Sequence, residues 1–281
     1  MDSTDAGSTA LIHPAAKGTQ AIGRAAALLR ELANEPRKGH GLAELADRLG
    51  LERPTVYRIL RRLVDEGLVR QDPASRGYFL GELIYELGLL ADAGQATREM
   101  CRPSLNRLAS ESSDTIFLIA SRGMDCVCLD RAEGSYPVKA LLLEPGQRRP
   151  TGIGAGSIAL LAALPAEVAR KTLQGNTRRL EEAGESIADL EDIVATAART
   201  GYALKRPPDM PEILSLAMTV VDAAGAPLIA LSISGLAHRI SSRLDMLTGL
   251  LRDETRLLRR TFNVGSSSLA SGATGAHALP K

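Results

Sequence analysis

Residues 42–69 read LAELADRLGLERPTVYRILRRLVDEGLV, and this stretch decides the fold of the N-terminal part of the chain. Leucine and alanine recur at helical spacing from Leu42 to Leu49, and Gly50 then provides a residue that commonly ends a helix. A second helix is predicted over residues 54–66, because proline is favoured in a first helical turn, where its missing N–H would have no partner. The stretch therefore predicts two helices joined by a short glycine-containing turn.

The second predicted helix has one aliphatic and one basic face. At 100° per residue its buried side gathers Val56, Ile59, Leu60 and Leu63. Residues 53–62 contain four arginines and no acidic residue. Six side chains lie at the helix start or away from the aliphatic side: Arg53, Thr55, Tyr57, Arg58, Arg61 and Arg62. Such a face is suited to binding an anion.

A hairpin is predicted directly after this helix. Strands over 68–71 and 78–80 flank the turn-forming residues 72–77, DPASRG. Two helices followed by a hairpin in this order are typical of a winged helix-turn-helix. The alternative is a small helical bundle whose arginines are merely solvated.

The pattern predicts how duplex DNA would be bound. An α-helix fits the major groove, where its N-terminal side chains meet base edges and arginine can bond both acceptors of guanine. We assign contacts with bases or nearby phosphates to Arg53, Thr55, Tyr57 and Arg58. We assign phosphate neutralisation to Arg61, Arg62 and the wing residues Arg70 and Arg76. One recognition helix reads few base pairs, so a homodimer or a dimer of dimers on a palindromic operator is expected.

Length and composition set the broad class. A chain of 281 residues with 44% hydrophobic and 24% charged residues is expected to form two globular domains. The net charge is only +1, and residues 20–80 hold eleven Lys/Arg against eight Asp/Glu, so DNA binding is inferred from the placement of charge. Three cysteines are too few for a disulfide framework. Without a signal-peptide pattern or a run of membrane-spanning length, a cytoplasmic location and no membrane partner are predicted.

The flanks of the winged helix-turn-helix are predicted as follows. A first helix over 20–33 has apolar residues at 22, 25, 26, 29, 32 and 33, with Arg24 and Arg30 facing outward. A linker helix over 82–93 is expected to be interrupted by Gly94 and Gln95. Residues 1–18 and 265–281 lack periodicity and are predicted to be disordered tails.

Residues 97–264 alternate helix and strand signals without the regular spacing of a parallel sheet, which favours an α+β domain. Strands are predicted over 115–120, 126–131, 138–143, 216–222 and 227–234. Helices are predicted near 97–112, 154–163, 165–173, 186–200 and 241–262. The expected division is therefore a tail (1–18), a DNA-binding domain (19–80), a linker helix (81–95), a second domain (96–264) and a second tail (265–281).

A glycine-rich turn in the second domain precedes an apolar helix. Gly152, Gly154 and Gly156 stand just before and inside its predicted start. A helix N-terminus carries unpaired N–H donors and partial positive charge, so a carboxylate could dock at Gly154, Ala155, Gly156 and Ser157. The alternative is a plain tight turn.

Residues 42–69 resemble the DNA-binding segment of the IclR-type (isocitrate lyase regulator) family of transcription regulators. The resemblance continues through the wing and LGELIYELG at 80–88, and more loosely to about residue 260. Thr55 and Arg58 match the family pattern, whereas Pro54 stands where members often have a small hydroxyl residue. The chain is thus expected to be a sequence-specific transcriptional regulator.

The resemblance also implies the nature of the second domain. It would be a GAF-like effector-binding domain, an antiparallel sheet flanked by helices, and would bind a small-molecule effector. By this likeness Ala155 and Gly156 line the pocket, Ser232 and Ser234 match paired serines of the last strand, and Ser215 falls where members often have cysteine. Ordinary polar strand residues are the alternative for the three serines.

Two segments depart from the family pattern. Residues 205–212, KRPPDMPE, replace an acidic glycine-containing segment, and Gly156 is followed by Ser157 and Ile158 where members often have lysine. The effector identity therefore does not follow from the resemblance. Lys205 and Arg206 either contact an acidic ligand or are solvated.

Two other functions compete with effector control. The second domain could serve only to oligomerise a constitutive DNA-binding protein. Cys126 and Cys128 share one face of a predicted strand and could serve a thiol enzyme or sensor, although buried structural thiols fit them better. No cofactor or metal site is predicted, because no metal-binding quartet assembles from the scattered histidines.

Overall fold

The computed structural model describes residues 19–34, 39–90 and 92–272. Its internal contacts divide the chain into two compact units, Met1–Gln95 and Ala96–Lys281. The predicted tail at 1–18 and residues 273–281 of the second predicted tail lie outside the described residues. Among the described residues, no helix is both long enough and apolar enough to cross a lipid bilayer.

The N-terminal unit has the predicted order of three helices, a hairpin and a further helix. Its elements are α1 (Gln20–Asn34), α2 (Leu42–Leu49), α3 (Arg53–Asp65), β1 (Val69–Gln71), β2 (Tyr78–Leu80) and α4 (Glu82–Leu90). Strands β1 and β2 pair antiparallel, with Arg70 opposite Phe79. The winged helix-turn-helix prediction is confirmed.

Local chemistry explains where α2 and α3 begin and end. Gly50 has φ 61°, a left-handed conformation that glycine adopts without strain, and its N–H bonds back to the last turn of α2. Pro54 lies in the first turn of α3. The buried faces of the two helices meet α1 in one aliphatic core that includes Leu28, Leu45 and Leu60.

The buried face of α1 differs from the predicted one. Ile22, placed on the apolar face by the sequence pattern, is 70% exposed, whereas Ala27 and Leu28 are fully buried. Arg24, predicted to face outward, is only half-exposed, and its Nε is buried. The stripe is rotated because the core contacts of α2 and α3, which the helix period cannot show, select Leu28 and Leu32 as the centre of the interface.

The C-terminal unit is an antiparallel sheet flanked by helices, as predicted. The strands are β3 (Thr115–Arg122), β4 (Asp125–Glu133), β5 (Arg148–Pro150), β6 (Ala203–Lys205), β7 (Ile213–Val221) and β8 (Pro227–Leu236), in the order β5-β4-β3-β8-β7-β6. The helices are α5 (Asp92–Ser112), α6 (Ala155–Ala162), α7 (Ala166–Gly175), α8 (Thr177–Glu182), α9 (Ile187–Thr200), α10 (Ala237–Ser242) and α11 (Leu244–Gly272). The predicted fold class, a two-domain α+β chain, is confirmed.

The two faces of the sheet bury different cores. Ile116 and Leu118 of β3 pack with residues of α5 and α11. Phe117 and Ile119 of the same strand face the other way and pack with residues of α6, α7 and α9. This alternation follows from the two-residue period of a strand, and it leaves a space between the second face and α6.

Three predictions of secondary structure were wrong. Residues 138–143 form no strand. Gly94 and Gln95 do not interrupt a helix, because α5 begins at Asp92 and passes through both. Helix α11 continues to Gly272, through the first part of the stretch 265–281 that was predicted to be disordered. The pattern also missed β5, β6, α8 and α10, each of six residues or fewer.

Candidate DNA-binding surface and ligand cavity

Helix α3 presents the predicted basic surface. Val56, Leu60 and Leu63 are buried, which fixes the rotation of the helix about its axis. On the opposite side five side chains are exposed: Arg53, Tyr57, Arg58, Arg61 and Arg62. Thr55 is half-buried. Arg62 forms an ion pair with Glu66 one turn further along, so the arginines nearest the start of α3 carry the less compensated charge.

The hairpin holds two more arginines of the predicted set. The guanidinium of Arg70 lies 4.3 Å from the centre of the Phe79 ring on the paired strand, a cation–π contact that restrains it. Arg76 has φ 59° at the turn, where Asp72 accepts hydrogen bonds from the backbone N–H and hydroxyl of Ser75. Both side chains are exposed. The α3 surface and these wing arginines together are called the basic surface below.

The C-terminal unit contains a partly open cavity of about 370 Å³ between the sheet and the start of α6. All seven residues predicted to bind an effector line it: Gly154, Ala155, Gly156, Ser157, Ser215, Ser232 and Ser234. Phe117, Ile119, Leu142 and Ile153 give it apolar walls. A mostly apolar cavity of this size with a few convergent polar groups is typical of small-molecule sites.

The start of α6 forms one polar end of the cavity. Gly154 has φ 83°, which turns the chain into the helix. Within the described part of the chain, the backbone N–H groups of Gly154, Ala155 and Gly156 have no acceptor, whereas the N–H of Gly152 bonds to Ser157 Oγ at 2.5 Å. Gly156 lies so close to Ile119 that an added Cβ would be 2.8 Å from its Cγ1. Because Gly154, Ala155 and Gly156 line the cavity, these unpaired donors lie at its wall, beside an apolar strand.

The strands supply a second polar wall. Ser215 and Ser234 are opposite each other on β7 and β8, and their hydroxyl oxygens are 2.7 Å apart. Ser232 is also a buried residue, and among the described residues no side-chain hydrogen bond joins its hydroxyl to another group. A hydroxyl that faces a cavity and has no protein partner is available to a ligand.

Charged residues in or beside the cavity wall were either not assigned by the sequence pattern or left open. Lys205 lies in β6 and forms an ion pair with Glu185 at 2.7 Å, so it is not simply solvated. Arg206 is exposed and donates to the carbonyl of Pro211. Arg149 of β5 lines the cavity and donates to the carbonyl of Leu142 at 2.6 Å, and burial lowers the pKa of its guanidinium. Glu185 and Arg149 belong to no motif, so no local signal could have identified them.

Cys126 and Cys128 line the same cavity, and both are buried. Burial raises the pKa of the Cys126 thiol, and it raises that of Cys128 to about 12. The Cys126 Sγ lies 3.6 Å from the hydroxyl of Thr151. These environments suit neutral thiols, whereas a nucleophilic cysteine needs a lowered pKa. In the part of the chain that the structure describes, no group of three or more His, Cys, Asp or Glu side chains could hold a metal ion.

A winged helix-turn-helix with a basic surface, on a chain that also carries a cavity with polar ends, defines the class of DNA-binding transcription regulators. Two family models agree with this class. The IclR helix-turn-helix domain matches residues 21–73, and the bacterial transcriptional regulator IclR C-terminal matches residues 93–259. The chain belongs to the IclR family. Control by small-molecule effectors is typical of that family.

Individual relatives agree with the family models. The HTH-type transcriptional regulator Rv1719 of Mycobacterium tuberculosis is 32% identical over 237 residues, which cover 83% of this chain and 89% of that protein. An IclR family regulator from Brucella abortus has a solved structure with TM-score 0.70 and 23% identity, covering 87% of this chain and 93% of the other. An IclR homologue from Microbacterium hydrocarbonoxydans, solved with 4-hydroxybenzoate, has TM-score 0.66 and 18% identity, covering 85% and 98%. The two structures establish the shared fold.

Proposed function

We propose that this regulator binds its operator through the basic surface and that a small organic carboxylate in the cavity modulates this binding. The observation that carries the effector role is the cavity itself. It brings unpaired N–H groups at the start of α6 and the unpartnered hydroxyl of Ser232 to one partly open, largely apolar space. A ligand carboxylate at this end of the cavity would accept hydrogen bonds from these polar groups.

The roles on the basic surface follow the sequence assignment. Arg53, Thr55, Tyr57 and Arg58 would contact bases or nearby phosphates, because they lie in the first half of α3. Arg61, Arg62, Arg70 and Arg76 would neutralise phosphates. The protein would act in the cytoplasm as a homodimer or a dimer of dimers, with domain limits of 19–80, 81–95 and 96–264. It would need no cofactor and would not be an enzyme.

Two measurements test this proposal. Calorimetric titration of the purified protein with small organic acids, 4-hydroxybenzoate among them because a family member was solved with it, should detect binding of at least one. Ser232→Ala should weaken that binding by about fivefold, because one charge-assisted hydrogen bond is lost. Ser121→Ala, on the exposed end of β3, serves as the matched control and should bind like the wild type.

The second measurement concerns DNA. Selection of fragments of the source genome by the protein, with and without the acid, should recover an operator whose affinity changes when the acid is present. Binding of duplexes with no response to any acid that binds would instead favour a constitutive regulator whose C-terminal domain only oligomerises. Failure to retain any duplex at low salt would refute the role of the basic surface.

A further inference from the structure

The cavity wall contains a buried ion pair that the carboxylate site does not use. Lys205 Nζ and Glu185 Oε2 are 2.7 Å apart, and their side chains are 11% and 5% exposed. Lys205 belongs to the edge strand β6, and Glu185 immediately precedes Ser186, the residue that caps α9. Both residues line the cavity. Two charges with so little exposed surface are costly unless their remaining donors and acceptors find partners.

Those remaining groups have no protein partner. An ammonium group has three donors and a carboxylate has about four acceptor positions. Within the described residues, the only side-chain hydrogen bond of either Lys205 or Glu185 is the one that joins them. Lys205 is opposite Ser215 across β6 and β7, and Ser215 is opposite Ser234 on β8, so the ion pair continues the serine wall. This wall offers both donors and acceptors to a molecule in the cavity.

The ion pair restricts which functional group of a ligand can lie beside it. An alkyl end would leave the remaining donors and acceptors of the ion pair without partners, which opposes binding. A second carboxylate would be attracted by Lys205 but repelled by Glu185 beside it. A hydroxyl group can accept a hydrogen bond from the ammonium and donate one to the carboxylate, so it satisfies both charges at once.

We propose that the Lys205–Glu185 pair determines ligand specificity, selecting carboxylic acids that carry a hydroxyl group at the end remote from the carboxylate. This inference rests on the proposed function, because the carboxylate end is assigned to the start of α6. Sites built to hydrogen-bond a hydroxyl reject analogues that lack it far more strongly than apolar pockets reject a wrong shape.

The test compares matched acids on the full-length protein by calorimetric titration. One set is 4-hydroxybenzoate, benzoate and terephthalate, and a second is 6-hydroxyhexanoate, hexanoate and adipate, so that two lengths are sampled. In at least one set the hydroxy acid is expected to bind at least about tenfold more tightly than both relatives. In the double variant Lys205→Met/Glu185→Leu this preference should fall below about twofold, because replacing both partners leaves no uncompensated charge.

A matched control tests whether the loss of any ion pair, rather than of this one, changes the ligand preference. Arg107→Met/Glu254→Leu removes an ion pair between α5 and α11 that does not line the cavity, and it should keep the wild-type preference. If circular dichroism shows that the Lys205/Glu185 double variant does not fold, Glu185→Gln takes its place. That variant keeps the shape but removes the repelling charge, so the dicarboxylates should gain at least about fivefold.

The outcomes are distinguishable. Binding of none of the acids to folded wild-type protein would overturn the proposed function and this inference together. Binding without a hydroxyl preference, or a preference that persists in the double variant, would overturn the inference alone, as would unchanged dicarboxylate affinity in Glu185→Gln.

Discussion

The arginines of the basic surface are all exposed, but their side chains differ in the contacts that restrain them. Arg70 is held over the Phe79 ring, and Arg62 is paired with Glu66. For Arg58, no ion pair is recorded among the described residues, and it lies one turn into α3, on the side opposite Leu60. A side chain at that place can reach base edges when α3 enters a major groove, whereas a wing arginine follows the sugar-phosphate backbone.

This difference predicts distinct effects of two single substitutions. Arg58→Ala should weaken binding to the operator by about 1 to 3 kcal/mol and reduce discrimination at one base pair. Arg76→Ala should weaken binding to all duplexes similarly and reduce the slope of affinity against salt by about one ion. Fluorescence anisotropy on operator and scrambled duplexes at several salt concentrations measures both effects.

The control for these substitutions is Arg259→Ala, which removes an exposed arginine of α11 in the C-terminal unit. It should bind both duplexes as the wild type does. If Arg58→Ala and Arg76→Ala lower the affinity for both duplexes to the same extent, the division into base-reading and phosphate-binding residues is wrong.

The cysteines give a second prediction at the scale of single residues. Burial raises the pKa of Cys101 and of Cys128 to about 12. At about pH 8 such a thiol is ionised to roughly one part in ten thousand, far less than a free thiol. The native protein should therefore react very slowly with a disulfide reagent such as Ellman's reagent, and all thiols should react once guanidinium unfolds it. Rapid stoichiometric reaction of the folded protein would revive the thiol-sensor hypothesis.

The same pKa shifts make stability depend on pH. The folded-state pKa of these thiols lies above the ordinary value of 9.0, so the folded protein holds protons that the unfolded chain releases. Their contribution to the free energy of unfolding is complete below about pH 8 and is lost as the pH rises towards about 12. Urea denaturation at increasing pH should show this fall, and Cys101→Ala/Cys128→Ala should show a smaller one.

At the scale of secondary structure, the sequence predicted elements whose stabilising contacts are local. Helices α2 and α3 and the hairpin β1–β2 were placed within one or two residues, because glycine, proline and a clear aliphatic period determine them. The strands β3, β4, β7 and β8 were also recognised, with ends up to three residues off. The three-residue strands β5 and β6 were missed, since a pattern so short has no measurable period.

The wrong strand at residues 138–143 shows where local patterns fail. Its apolar residues suggested a strand, but Val138 and Leu141 are about half-exposed. The carbonyls of Leu142 and Leu143 accept hydrogen bonds from Arg149 and Arg131, rather than from a neighbouring strand. Contacts between residues this far apart in sequence satisfy the backbone, and no local pattern reports them.

The sequence predicted part of the ligand-binding site but not all of its polar residues. The glycine loop and the serines came from residue type and family resemblance, and the cavity brings them together. Glu185 and Arg149 could not be predicted, because each enters the cavity from an element without a motif. For Lys205, the sequence favoured solvation over contact with an acidic ligand, whereas its ammonium is paired with Glu185 and is not simply solvated.

The junction between β2 and α4 contains a close backbone contact that predicts the effect of a substitution at Gly81. A Cβ added at Gly81 would lie 2.0 Å from the carbonyl oxygen of Gly67, just beyond α3, and 2.8 Å from its carbon. Backbone atoms cannot move aside without separating the hairpin from α3, so Gly81→Ala should cost at least about 2 kcal/mol of stability. Urea titration followed by circular dichroism measures the change.

Gly88 provides the matched control for this substitution. It lies inside α4, and a Cβ added there meets nothing within 4 Å. Gly88→Ala should therefore stabilise the protein by about 0.5 to 1 kcal/mol, the ordinary helix preference for alanine. If Gly81→Ala proves as stable as the wild type, the close approach at this junction is not a constraint.

At the scale of the whole molecule, the proposed function joins two sites that lie in separate units. The basic surface belongs to Met1–Gln95 and the cavity to Ala96–Lys281. Helix α5 spans the division, beginning at Asp92, and its Arg98 and Arg102 bind the buried Asp130 of β4. Strand β4 also carries Cys128 into the cavity wall, so α5 is physically connected to the ligand site.

If binding at the two sites is coupled, thermodynamic linkage gives a quantitative prediction. If an acid changes the affinity for operator DNA by some factor, operator DNA must change the affinity for that acid by the same factor, because both express one coupling free energy. Anisotropy of a labelled operator with and without saturating acid gives the first factor, and calorimetric titration of the acid with and without operator gives the second. The expected coupling is about 5- to 150-fold in both directions. Arg58→Ala should keep the affinity for the acid measured without DNA. Equal affinities in every comparison would mean that ligand binding in the cavity has no effect on operator binding. The role of the C-terminal unit would then be oligomerisation alone.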